Sequence, residues 1–200
     1  MLESVSPLRG HDETRVVRRG ADEPGVAFGE RRLISLVQVA AWPGTAGQVA
    51  GILAAQLGCA VPQGCDGSSD GPGGSLLGIA PGRWLLESPD PQLAQNLAAQ
   101  IGPPLGAVTD LSHARIAIRI SGPKAGWVLN KGLALDLHPA AFPPAKVAQS
   151  AIHEVGVILH RLSDDSFDLY VYRGFALSFW EWLTGAAEDC GYRVEPPGGP

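Results

Sequence analysis

Between residues 33 and 111, short β-prone runs and two helix-periodic stretches follow one another in an order that few folds accommodate. LISLVQV (33–39) is rich in apolar and β-branched residues, and Pro43-Gly44 breaks the chain behind it. From Thr45 to Leu57 the residues Val49, Ile52, Leu53 and Leu57 recur at helical spacing, with Gly58 as a stop. LLGIA (76–80) and RWLLES (83–88) flank the turn dipeptide Pro81-Gly82 and predict a hairpin. Residues 91–101 read as a second helix, and GAVTDL (106–111) as a returning strand. The order β-α-β-β-α-β is that of a split βαβ, ferredoxin-like unit. PQGCDGSSDGPGG (62–74), inside this unit, reads as a flexible loop.

The second half resembles the same plan. HARIAIRIS (113–121) is strand-like, and Ser121-Gly122-Pro123 opens a short helix with Gly132 beyond its end. AQSAIHEV, GVILHRL and SFDLYVYR follow a Pro-rich bend as strands, and a last helix runs from about Gly174 to Ala187. The fold class is therefore α+β, with two ferredoxin-like lobes side by side. Residues 1–31 carry arginines and acids but few large apolar side chains, and so predict a mobile N-terminal arm. The expected domains are that arm, a first lobe over 32–111, a second over 112–190, and a tail over 191–200.

Charge and composition exclude several function classes. Fifteen Lys and Arg against twenty Asp and Glu leave a net charge of −5, the wrong sign for neutralising nucleic-acid phosphates. No apolar run approaches the ~20 residues of a bilayer span, and the first residues lack the apolar core of a signal peptide. The expectation is a soluble, cytoplasmic protein. Cys59, Cys65 and Cys190 have no metal-ligand spacing and read as free thiols.

Local catalytic motifs fail one by one. Gly67-Ser68-Ser69-Asp70-Gly71 matches the nucleophile-elbow pattern but lies in the Gly/Ser loop, with no strand before it and no helix after. His153-Glu154 begins a zinc-protease motif, but Val157 stands where the second ligand is needed, and His160 falls in a strand-like segment. Gly122-Pro123-Lys124 lacks the glycine-rich lead of a phosphate loop. Asp164-Asp165 reads as a turn, and His138-Pro139 as a loop. No nucleophile–base–orienter set is visible, so the expected catalytic, cofactor-binding and metal-binding residues number none.

Two patterns point outward instead. On strand 113–121, Ile116, Ile118 and Ile120 alternate with His113, Arg115, Ala117 and Arg119, which predicts a wet polar face or a cationic strip for a carboxylate, with Asp110 as a local partner. In the last helix, Phe175, Phe179, Trp182 and Ala186 fall on one arc, with Leu177 and Trp180 opposite. A helix apolar on two faces is either buried all round or touches something beyond its own domain, and in a chain this small the expectation favours contact with another chain. The candidate partner-facing residues are Trp180, Leu177, Trp127, His138, Phe142 and Arg115.

Longer stretches carry a family resemblance. Asp110-Leu-Ser-His113-Ala-Arg115, Ser121-Gly122-Pro123 and Lys131-Gly132-Leu-Ala-Leu-Asp136-Leu-His138-Pro139, with Phe142-Pro143-Pro144 behind them, resemble the gamma-subunit family of heterotetrameric bacterial sarcosine oxidase. Ala80-Pro-Gly-Arg-Trp84-Leu-Leu86 and Phe167-Asp-Leu-Tyr-Val-Tyr-Arg173 extend the similarity over about residues 33–187. The resemblance implies a fold like the folate-binding domain of aminomethyltransferases. It implies a structural, assembly role beside alpha, beta and delta subunits, without cofactors in this chain. The implied complex carries FAD, FMN, NAD and zinc. It demethylates sarcosine oxidatively to glycine, passes the one-carbon unit to tetrahydrofolate and forms hydrogen peroxide. The alternative is a stand-alone folate-binding aminomethyltransferase-like protein. That would want a longer chain and an acidic residue where Val157–Arg161 stands. The iron–sulfur maintenance proteins of the same fold would want a cysteine where Leu133 follows Lys131-Gly132.

Overall fold

The computed structural model describes residues 5–20, 22–62 and 64–198. The chain runs β1 (Arg15–Val17), β2 (Val26–Arg31), β3 (Ser35–Ala41), α1 (Ala46–Leu57), β4 (Ser68–Gly71), β5 (Gly74–Ala80) and β6 (Arg83–Ser88). It continues as α2 (Leu93–Leu105), β7 (Gly106–Asp110), β8 (Arg115–Ser121) and α3 (Ala125–Leu129). The last elements are β9 (Val147–Ile152), β10 (Val155–Ser163), β11 (Ser166–Tyr172), α4 (Ala176–Ala187) and β12 (Tyr192–Val194). Among the described residues these make a mixed α+β fold with two sheets. Two units divide the chain, one of residues 33–112 with 145–148, the other of the segment before 33 with 113–144 and 149 onward.

The first unit has strand order β4-β5-β6-β3-β7. Without β4 this is the 4-1-3-2 order of a split βαβ unit, all neighbours antiparallel. Val49, Leu53 and Leu57 on α1, and Leu93, Leu97 and Ile101 on α2, recur every four residues. Those stripes bury against Val37, Val39, Leu76, Trp84 and Leu86 of the sheet, each large side chain worth ~1.5–3 kcal/mol. Gly58 ends α1 at φ 67° with its N–H on the Ala54 carbonyl, as its position after Leu57 predicts.

The glycine loop is the first correction. Residues 68–71 form edge strand β4, paired with β5 from Ser68↔Leu77 to Gly71↔Gly74. Backbone pairing alone makes this strand, so no apolar alternation announces it. The glycines permit close approach: a Cβ on Gly71 would lie 2.4 Å from the Leu57 carbonyl oxygen. Gln63 lies outside the described residues.

The second unit is built on the order β1-β12-β2-β8-β11-β10-β9. Here β8, β11 and β10 repeat the split βαβ plan, and the place beside β8 is taken by β2, which comes from the N-terminal segment. The expectation of a mobile arm over 1–31 is thus corrected for its described residues. Val26 and Phe28 are buried in β2, and Leu8 is buried ahead of it. Few apolar residues suffice because all three are buried, and some of the segment's charges are paired: Arg18 with Glu23, Arg19 with Asp189, Arg31 with Asp168. Residues 1–4 and Ala21 lie outside the description. The expected tail is corrected likewise, since β12 lies between β1 and β2 with Tyr192 and Val194 buried. Residues 199–200 are not described.

The same segment explains α4. Its buried face is Ala176, Phe179, Trp180, Leu183 and Ala187, whereas Phe175 is 51% exposed. Trp180 therefore belongs to the core, contrary to its assignment as a partner-facing residue. Its ring meets Phe28 edge-on at 5.3 Å, and its Nε1–H donates to the His11 carbonyl at 3.1 Å. Both partners come from the stretch whose composition suggests an arm.

Glu30, on β2, is buried and accepts a hydrogen bond from the Ser6 hydroxyl. Burial pushes its carboxyl above the ordinary value and the Asp12 charge adds to this, while Ser6, Arg173 and Arg32 pull the other way. A raised carboxyl contributes its stability at low pH and loses it as pH rises through the folded-state value. Glu30→Gln is accordingly expected to melt above the parent chain at pH 7, with the gap closing below about pH 4. Thermal melts across that range check it, and a gap that widens on acidification would contradict it.

Candidate interaction surface

Strand β8 pairs with β11 so that Arg119 lies opposite Asp168, Ala117 opposite Tyr170 and Arg115 opposite Tyr172, all on one face. That face is not the wet strip its polar alternation suggests. Ala117, Tyr170 and Arg115 are buried, while His113 and Arg119 remain exposed. The Asp168 side chain, 2% exposed, receives two hydrogen bonds from Arg119 at 2.8 Å each and one from Arg31 at 2.9 Å. The carboxylate that Arg119 meets is therefore internal to its own sheet, Asp168 of β11, and is not Asp110, the last residue of β7. Asp110 instead accepts from the Ser112 backbone N–H and hydroxyl.

The loop carrying Asp136-Leu-His138-Pro139 and Phe142-Pro143-Pro144 is held by its own turns and one guanidinium. Asp136 accepts from the His138 N–H, and His138 Nδ1 from the Ala140 N–H. The His138 carbonyl accepts from the Ala141 and Phe142 N–H groups. The turns aim the Leu137 and Phe142 carbonyls at Arg161 Nη1, while Arg161 Nε reaches Ser163 O at 2.9 Å and Nη2 the Asp164 carbonyl. A guanidinium has five N–H donors in a fixed fork, and here carbonyls take four of them. The Arg161 side chain is 2% exposed. Neither Arg161 nor Asp168 stands out as a site in the sequence pattern. The available signal was a charge at an inward position of an otherwise apolar strand.

Of the six candidate partner-facing residues, the structure buries three. Trp180 lies under α4, Phe142 is buried with its carbonyl on Arg161, and Arg115 is 7% exposed. The other three are on the surface: His138, Leu177 and Trp127, the last 47% exposed. Trp127 faces Lys131, whose Nζ sits 4.0 Å from the ring centroid. That ammonium also donates to the Ala186 carbonyl at 2.6 Å and pairs with Asp189 at 2.8 Å, closing the last turn of α4. Its hydrogen bond holds the Asp189 carboxyl below the usual range.

The serines of the elbow-like pattern are strand residues, with Ser68 Oγ on the Ala145 carbonyl and Ser69 Oγ on Ala60. His153 sits in the β9–β10 turn against Trp182, 5.7 Å between ring centroids. Burial pushes the Cys190 thiol up, away from the reactive thiolate. Among the described residues no three of His, Cys, Asp or Glu converge as a metal site would need. No helix of the described residues is long and apolar enough to cross a membrane.

The family model "Sarcosine oxidase, gamma subunit family" matches residues 39–189. The chain belongs to the sarcosine oxidase gamma subunit family. Sarcosine oxidase subunit gamma of Arthrobacter sp. is 32% identical over 195 residues, covering 94% of each chain. That of Corynebacterium sp. (strain P-1) is 30% identical over 195 residues with the same coverage. Among solved structures, heterotetrameric sarcosine oxidase from Corynebacterium sp. U-96, in complex with pyrrole 2-carboxylate, has a chain that superposes with TM-score 0.76 at 25% identity. The match covers 92% of this chain and 95% of that one. Glycine cleavage system aminomethyltransferase T from Bartonella henselae superposes with TM-score 0.64 at 13% identity, over 60% of its length. That second likeness is one of fold, and it agrees with the aminomethyltransferase-like fold that the resemblance implies.

Proposed function

We propose that this chain is an architectural subunit of a cytoplasmic sarcosine oxidase, assembling with alpha, beta and delta chains and performing none of the bond-making itself. The observation that carries the reading is the end-to-end correspondence with a chain of a heterotetrameric oxidase, 92% of one and 95% of the other. Exposed aromatics support it: Trp42, Trp127, Tyr172 and Phe175 are each 45–51% exposed, side chains enriched where one chain meets another. In this reading the assembled enzyme oxidises sarcosine to glycine, forms 5,10-methylenetetrahydrofolate and releases hydrogen peroxide. FAD, FMN, NAD, zinc and tetrahydrofolate are assigned to the complex, and no residue named above is given a step with them. What this chain's residues do is hold shape: Arg161 fixes the 136–142 loop, and Asp168 ties β2 to β8 and β11 through two arginines.

Co-expression tests the reading. A tagged copy of this chain is expected to carry down the large subunits with their yellow flavin absorbance in one-to-one stoichiometry. Made alone, it is expected to self-associate, because obligate interfaces bury on the order of 2,000 Å² or more. A chain that stays monodisperse alone and retains no flavoprotein from the co-expressing cell would contradict it.

A further inference from the structure

We propose that Arg115 is the receptor for a carboxylate side chain of another subunit, at the centre of a docking surface formed with Tyr172, Phe175 and Leu177. The inference rests on the subunit reading above and adds the chemistry of one contact. The starting point is an imbalance of charge. Arg31 and Arg119 share Asp168, and Arg161 donates to four carbonyls. Arg115 is as deeply placed, 7% exposed, yet it holds a single carbonyl, Tyr170 O, at 3.2 Å from Nη1. Its Nε is the one buried side-chain nitrogen or oxygen among the described residues with no hydrogen-bond partner. Burial pushes the guanidinium below the ordinary arginine value, and what pulls it back is the Tyr172 phenol rather than any carboxylate. Arginine stays charged, so among the described residues a cation with an orphaned donor sits without a carboxylate partner.

The surroundings say what would complete it. The Tyr172 ring covers the guanidinium at 3.8 Å from Cζ to the ring centroid, and Tyr172 itself is 46% exposed. A half-exposed tyrosine has other rotamers, and turning it aside would open the guanidinium to a carboxylate, which an arginine meets with two parallel hydrogen bonds. Phe175 and Leu177 follow within five residues, 51% and 37% exposed, and Val5, 41% exposed, is tethered beside them by the hydrogen bond from Arg173 to its carbonyl. Arginine among aromatic and aliphatic side chains is the composition of an interface centre, and an acid ringed by apolar residues is its complement.

The test uses the complex as it assembles. Wild-type chain and Arg115→Met, which keeps the volume and removes the charge, are titrated onto the remaining subunits, and each free chain is melted. The methionine variant is expected to bind about thirtyfold more weakly or worse. Its free chain should melt at or above the wild-type temperature, because the uncompensated cation is gone. Arg115→Lys, charged but without the two-pronged edge, should fall between the two. If a free chain will not stay in solution, the half-dissociation concentration of the diluted complex gives the same comparison. Wild-type affinity in the methionine variant overturns the proposal. So does a lowered melting temperature with an assembly defect that merely tracks it, which would make Arg115 a structural residue. So does stabilisation of the wild-type chain alone by acetate or phosphate with assembly unchanged, which would make the site one for a small anion. A wild-type chain that fails to bind the other subunits overturns the subunit reading itself, and is told apart by needing no variant.

Discussion

Asp168→Ala is expected to destabilise the chain by about 3 kcal/mol, a drop in melting temperature of roughly 6–12 °C. The carboxylate is 2% exposed and is shared by two guanidiniums, so its removal takes away the anion that Arg31, 14% exposed, and Arg119 have in common. Breaking a buried pair costs about 3–5 kcal/mol, and the 44% exposure of Arg119 places this case at the low end, because water screens the charge left behind. The loss also reaches topology. Arg31 is the last residue of β2, so the contact ties the N-terminal strand to the second unit's β8 and β11. Denaturant melts of Asp168→Ala, Arg119→Met and the double variant measure the coupling. Additive effects, or a single-variant loss below about 1 kcal/mol, would show that the cluster does not hold the strand.

Arg161→Met is expected to cost about 3 kcal/mol or more, with the damage concentrated at residues 136–144. Four backbone carbonyls lose their donors at once, and two of them, Leu137 and Phe142, are buried residues of the loop. An orphaned buried acceptor costs ~1–3 kcal/mol, and relaxation of the loop towards water absorbs part of the sum. Arg161→Lys should rescue little, since an ammonium cannot serve four acceptors spread in the plane of a fork. Amide exchange checks it: the Ala141 and Phe142 N–H groups, which now donate to the His138 carbonyl, should lose protection. Unchanged exchange in Arg161→Lys would contradict the account.

Those two residues show where sequence reading works and where it stops. The first unit was legible because each of its elements carries its own period and its own stop: Val49, Leu53 and Leu57 on α1 ahead of Gly58, and Pro81-Gly82 inside the β5–β6 hairpin. The second unit was legible only in part, because its sheet is completed by β2 and β12, strands taken from segments of polar composition at either end. A count of apolar residues undervalues Leu8, Val26 and Phe28, since three side chains matter according to what they reach. The face of α4 followed from the same gap. With residues 1–31 expected to form an arm, nothing in the sequence covers Trp180, and its place off the arc points to a partner.

The candidate surface was legible unevenly for a related reason. Leu177 and Trp180 both read as apolar residues off the arc of the last helix and differ only in that Trp180 is covered, while Trp127 and Phe142 carry no such signal, and the first is exposed and the second buried. Arg115 reads in the sequence as one member of a polar face or cationic strip with His113 and Arg119, and what no spacing reveals is that Arg119 finds a carboxylate inside the chain while Arg115, among the described residues, does not. The motif around Asp136–Phe142 was legible as a family mark; its physical cause, the Arg161 fork twenty residues further on, appears only when the carbonyls are seen to converge.

The most direct test of the account is turnover measured three ways, on this chain purified alone, on the co-purified complex, and on the complex after this chain is stripped and added back. The account predicts no sarcosine-dependent peroxide from the chain alone and full turnover from the complex, lost on stripping and restored by add-back. Sarcosine demethylation by the isolated chain, with no flavoprotein present, would contradict it.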